Sequence, residues 1–171
     1  DQAGVHPLMI AIGEERYTPY ESERRPAEIL TVANAILGFG QASLAKCLWI
    51  AAYQDNPDLD THHMEDFFCH MLSRVDWSRD LHFQTSTTMD TLDYSGVGIN
   101  QGSRVVIAAA GEVKRKLGSD VPEIQLPETM SDPRVIFPGV LSFKGPAFRS
   151  EADRIHIDDL CNRLSGQKEK L

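Results

Sequence analysis

Two stretches of this 171-residue chain set polar side chains beside apolar strands. Lys46 stands at the head of Lys-Cys-Leu-Trp-Ile-Ala-Ala, residues 46–52. A lysine so placed either lays its stem along apolar surface with the ammonium in water, or meets an anionic or electron-rich cofactor at the edge of a sheet. The residues alone leave both readings open. The second stretch, Thr85-Ser-Thr-Thr-Met-Asp-Thr-Leu-Asp-Tyr94, directly follows an expected strand. Ligand sites in α/β sheets gather at strand ends, which gives a location but not yet a chemistry.

Other reactive residue types are present without the company they need. No GxSxG or similar nucleophile turn occurs. His62, His63 and His70 fall on one predicted helix, but HxxxH is absent, so these are expected to be surface or helix-end histidines. Gly96-Val-Gly-Ile-Asn-Gln-Gly102 has the spacing GxGxxxG and precedes a strand, whereas a dinucleotide fingerprint opens a helix. A turn that feeds the strand at 104 is the expectation there. Cys47, Cys69 and Cys161 are an odd number without CxxC spacing; each is expected to act as a small hydrophobe in a reducing cytoplasm.

These residues need elements to hold them. Apolar runs predict strands at 8–12, 46–52, 80–86, 104–110 and 139–143. Pro26 suits the first turn of a helix carrying Ile29, Val32, Ala33 and Ile36, with Gly38 or Gly40 ending it. Asp60 or Thr61 is the expected cap of a second helix, in which Met64, Phe67, Phe68, Met71, Leu72 and Val75 form one apolar face. Residues 111–134, with Pro122, Pro127 and Pro133, read as a long surface excursion. Ser150 with Asp153 resembles a capping box before a terminal helix through Ile157, Leu160, Cys161 and Leu164, and 167–171 is expected to fray. Alternating strands and helices predict one α/β domain over 1–171, a mostly parallel sheet flanked by helices on both faces.

Composition narrows the partners. A net charge of −8 with 17 scattered basic residues argues against nucleic acid. No apolar run approaches the ~20 residues that span a bilayer. No export signal is seen in residues 1–13, so a cytoplasmic location is expected. The chain starts abruptly and without methionine, which favours a piece of a larger protein.

Several strings, taken in order, resemble the C-terminal domain of UbiD-type decarboxylases. His6-Pro-Leu-Met-Ile-Ala-Ile-Gly-Glu-Glu-Arg-Tyr17 and Ile36-Leu-Gly-Phe-Gly-Gln-Ala-Ser-Leu-Ala-Lys46 are similar to the long, menaquinone-type branch. Arg79-Asp-Leu, Met89-Asp-Thr-Leu-Asp93 and Gly102-Ser-Arg follow in the family's order. Beyond residue 111 only Pro138-Gly-Val-Leu and Lys144-Gly-Pro-Ala-Phe are similar to that branch.

The resemblance implies reversible, non-oxidative decarboxylation of aromatic or unsaturated acids with prenylated FMN, a divalent metal (Mn or Mg) and potassium. It further implies a naphthoate-type acid in menaquinone biosynthesis, a homo-oligomer, and a flavin prenyltransferase as cofactor supplier. The acid–base and metal-binding residues belong to the family's preceding domains, so none is expected in this chain. Position by position, Lys46 matches a lysine that contacts the flavin, and Met89 and Thr91 match residues on the substrate side. Where the family often has consecutive aspartates after the lysine strand, this chain has Ala51-Ala-Tyr-Gln-Asp55, leaving Asp55 without an assigned role. The alternatives are a non-catalytic self-association module, or a small nucleotide-binding protein using the 96–102 loop.

Overall fold

The computed structural model describes residues 7–17, 20, 22–93, 96 and 98–167. The chain divides into two compact units, Asp1–Lys116 and Leu117–Leu171.

In the first unit, strands β1 (Leu8–Gly13), β2 (Cys47–Ala52), β3 (Leu81–Thr88) and β4 (Gln101–Ala109) form one sheet in the order β1-β2-β4-β3. Helices α1 (Ala27–Leu37) and α2 (Met64–Arg74) cover its two faces. Ile29, Ala33 and Leu37 of α1 pack on Leu48, Ile50 and Ala52 of β2 and on Val106 and Ala108 of β4. On the opposite face, Phe67 and Met71 of α2, with Val75 just beyond it, meet Ala51, Ile107 and Ala109. Trp49 adds an edge-to-face contact with Phe68, ring centroids 5.2 Å apart. Burial on both faces is why β2 is apolar throughout and could be read from sequence.

The expected α/β class holds, but the sheet is mixed. β1–β2 and β2–β4 are parallel, while β3–β4 is antiparallel. The cause lies in the connection. At its C-terminus, α2 reaches the end of the sheet where β4 finishes, since Arg74 Nε donates to the Gly111 carbonyl at 3.1 Å. A short turn, 75–80, then starts β3 at that same end, so β3 has to run back.

Other expectations shift locally. The residue capping α2 is His63, not Asp60 or Thr61, and its side chain makes no cap hydrogen bond. Asp60 instead accepts the His62 backbone N–H at 2.8 Å, which holds its carboxyl below the usual range. Strand β4 starts at Gln101 rather than Arg104 and so takes in Gly102.

The second unit holds an antiparallel hairpin, β5 (Ser131–Phe137) and β6 (Val140–Lys144), turned at Gly139 with φ of 84°. β5 lies partly inside the expected 111–134 excursion. Helix α3 (Arg154–Ser165) follows a 3-10 turn whose capping box is as expected: Asp153 Oδ2 accepts the Ser150 N–H at 2.8 Å. None of α3's residues is buried, and Cys161 is exposed, so its reading as a packed hydrophobe does not hold. Gln167 is not frayed. It exchanges hydrogen bonds with the backbone of Gln125 at 2.7 and 3.0 Å; residues 168–171 lie outside the described residues.

Candidate functional site

Because β3 runs back, its exit loop returns to the end of the sheet where β2 begins. Lys46 sits there. Its carbonyl accepts the Val105 N–H at 3.0 Å, which fixes the backbone beside β4. Its ammonium donates to Asp93 Oδ2 at 2.7 Å, with the lysine side chain 33% exposed and the aspartate 11%. The lysine is therefore neither simply solvated nor isolated: it is bound to the loop that follows β3. Asp90 shapes that loop, accepting the Leu92 N–H on its side chain at 2.8 Å and the Asp93 N–H on its carbonyl at 3.0 Å.

Asn100 holds the middle of the loop. Its Nδ2 donates to the Met89 carbonyl at 2.9 Å and to Thr91 Oγ1 at 2.8 Å, and its own carbonyl accepts the Met89 N–H at 3.2 Å. Asn100 has φ of 58°, a left-handed conformation that asparagine tolerates better than most residues. Met89 is buried, and a Cβ on Gly102 would come within 2.8 Å of its Cγ, so glycine is what lets the methionine seat there. Thr91 is exposed. Nearby, Thr85, Ser86, Thr87, Thr88, Asn100 and Ser103 line a hydroxyl-rich hollow of about 580 Å³ together with Gly96, Gln101 and Gly102; Lys46 is not among its lining residues. Tyr94, Ser95 and Val97 lie outside the described residues. The 96–102 loop does feed a strand, as its spacing implies, through a tight Gly98–Gln101 bridge.

Arg104, which the sequence reading passed over, is buried at this end of β4. Its Nη1 donates to the Ser43 carbonyl, and Nη2 to Thr87 Oγ1 at 3.1 Å and the Thr88 carbonyl at 2.5 Å. Burial pushes its pKa down, with no described carboxylate offsetting that. A signal was available: like Lys46, it is a cation at the head of an apolar run.

A second polar cluster occupies the opposite end of the sheet. Arg24 forks to Glu15 and Asp55, whose side chains are almost fully buried. Burial opposes the Arg24 charge, but hydrogen bonds and the field of the two carboxylates prevail and raise its pKa. Asp55 also accepts the Gly111 N–H at 2.8 Å, which gives that residue a structural role: it ties the 14–25 segment and the end of β4 to β2. Arg24, Asp55, Arg74 and Gly111 border a cavity of about 540 Å³. His70, one turn before Arg74 on α2, is buried, contrary to the expected surface position, while His62 and His63 are exposed. Burial first, and the Arg74 charge second, push His70 down to about 4, against an opposing pull from Asp55. Among the described residues no group of three or more His, Cys, Asp or Glu could hold a metal ion. No helix of the described residues is long and apolar enough to cross a membrane. Burial raises the Cys47 and Cys69 thiols, so neither is activated.

The sequence of elements from β1 to β4 coincides with a known domain. Residues 1–109 match the family described as 3-octaprenyl-4-hydroxybenzoate carboxy-lyase C-terminal domain, and the chain belongs to that family, the UbiD type. It is 37% identical over 116 residues to an uncharacterized protein of Chlamydia trachomatis serovar D, covering 68% of this chain and 18% of that one. It is 30% identical over 161 residues to an uncharacterized protein of Chlamydia caviae, covering 94% and 25%. It is also 34% identical over 116 residues to a Chlamydia pneumoniae protein named as a subunit of 4-hydroxybenzoate decarboxylase, covering 68% and 18%. The chain thus spans a quarter or less of the length of these relatives.

Proposed function

We propose that this chain closes one side of the active site of a larger carboxy-lyase that removes CO₂ from an aromatic or unsaturated acid. The observation that carries this reading is the 2.7 Å ion pair between Lys46 and Asp93. It joins two of the sequence strings on which the family resemblance rests, although they are far apart in the chain.

The UbiD family is generally associated with prenylated FMN, and the residues at this end of the sheet fit such a group as a partial cradle. They offer an ammonium one-third exposed, a buried guanidinium whose described partners are all neutral, and a row of threonine and serine hydroxyls. They do not fit it as a complete site, which other segments of the larger protein would have to finish. When bound, the modified flavin supplies the electron sink for the charge left on carbon as CO₂ departs. Lys46 would hold an anionic part of the cofactor, and its charge is worth most where water is excluded. Asp93 orients the ammonium. Met89 and Thr91 would lie toward the substrate side, Met89 packed against Gly102 and the Thr91 hydroxyl accepting a hydrogen bond from Asn100. The proton donor, the divalent metal and the potassium belong to segments outside this chain. A naphthoate-type acid in menaquinone biosynthesis, a cytoplasmic homo-oligomer, and cofactor supply by a flavin prenyltransferase complete the reading.

The test is Lys46→Ala in the full-length protein, purified with its flavin. Flavin occupancy should fall several-fold relative to the parent; unchanged occupancy removes Lys46 from the site.

A further inference from the structure

We propose that Arg104 is the positioning residue of this site, fixing the spacing between the segment that delivers Lys46 and the segment that delivers Met89. The inference rests on the reading above of this end of the sheet as the cofactor-facing end.

The residue is 6% exposed, in a strand whose other inward positions, Val106 and Ala108, are apolar. For packing alone an apolar side chain would serve as well, without the desolvation of a charge. What a guanidinium adds is a rigid fork that can donate in two directions at once. One arm of the fork reaches Ser43, in the 3-10 helix Gly40–Leu44 that leads into Lys46. The other reaches Thr87 and Thr88, the residues just before Met89, where β3 shifts its register against β4. Ser43 and Thr88 have no direct hydrogen bond to one another among the described residues, so Arg104 is their shared anchor. Its Nε, buried and without a partner among the described residues, marks how far the side chain is committed to those contacts.

The experiment compares Arg104→Met, Arg104→Lys, Lys46→Ala and the Arg104→Met/Lys46→Ala pair in the full-length protein. Amide exchange is measured on cofactor-free protein. Segments 43–47 and 87–93 should both exchange about tenfold faster in Arg104→Met while α2 keeps its protection, the pattern of local opening at two linked places. Retained flavin, read from its visible absorbance, should fall in Arg104→Met. The double variant should retain no less than Lys46→Ala alone, because the arginine acts through the lysine. Arg104→Lys keeps the charge without the fork and should lie between Arg104→Met and the parent in both readouts.

Unchanged exchange in either segment overturns the proposal. So does a flavin content that Lys46→Ala lowers and Arg104→Met does not, which is the result a purely structural arginine would give. If Lys46→Ala leaves flavin unchanged, the cofactor-facing reading is the part that fails, and a functional role for Arg104 falls with it. Should Arg104→Met not fold, the same two readouts on Arg104→Lys decide the matter.

Discussion

Lys46 and Asp93 are separated by 47 residues of chain, yet their charged atoms lie 2.7 Å apart. The pair closes a loop on a strand head, and so couples the stability of the 89–93 segment to the charge on Lys46. A double-mutant cycle with Lys46→Ala and Asp93→Asn should give a coupling of about 0.5–1 kcal/mol in urea unfolding, at the upper end for partly exposed pairs. Additive effects would show that the pair contributes nothing.

Asn100 combines a left-handed backbone with two side-chain hydrogen bonds to the loop. Asn100→Ala loses both and adds strain, and should cost about 2 kcal/mol. Asn100→Gly keeps the conformation and should cost about half as much. Equal losses in the two variants would mean that the hydrogen bonds alone matter.

Gly102 and Gly96 differ in what an added methyl meets. At Gly102 it would press on the flexible Met89 side chain; at Gly96 it would overlap the Gln101 carbonyl, which cannot give way. Gly96→Ala should therefore destabilise by roughly 3 kcal/mol and Gly102→Ala by roughly 1 kcal/mol. Thermal unfolding of the two variants checks the order, which reverses if the 96–101 turn is loosely held.

His70 gives the first unit a pH dependence. Its folded pKa of about 4 lies below its ordinary value of 6.5, so as pH falls between those limits the unfolded chain takes up a proton and the folded chain does not. Stability should drop across that window by on the order of 3 kcal/mol and then level off with respect to this residue. Arg74 and Asp55 are the charged groups whose fields reach it, the first lowering and the second raising its pKa. His70→Asn should flatten the profile between pH 6.5 and 4; an unchanged slope would locate the dependence elsewhere.

The chain by itself should neither release CO₂ from aromatic acids nor hold a divalent metal tightly. Turnover by the purified fragment, followed by bicarbonate release, would contradict the assignment of the acid–base groups to other segments.

Much of this arrangement was legible because some signals are local. Continuous apolar runs marked β1 and β2, since each packs side chains into the cores on both faces of the sheet. The Phe67, Met71 and Val75 spacing marked α2, and Ser150 with Asp153 marked the start of the terminal turn. The direction of β3 was not legible, because a strand's side chains alternate in the same way whichever way it runs. It was set instead by where α2 ends. The burial of His70 was hidden for a similar reason: its helical position showed a face, not what covers it. β5 escaped notice because Pro133 and an aspartate with φ of 58°, Asp132, interrupt its pattern. Arg104 was in plain view as a strand-leading cation, but only three-dimensional proximity pairs it with Ser43 and Thr88.

The turn at 75–80 lies at the far end of the sheet from Lys46, anchored there by buried Asp80, which accepts the Asp76 N–H at 2.8 Å. Added or deleted residues around the exposed tip of that turn would alter the molecule's outline without moving the lysine or the methionine loop. The loop from Met89 to Asn100 has no such licence, since each of its ends is tied to the other. Homologous chains should accordingly tolerate changes of length between α2 and β3, and resist them between β3 and β4.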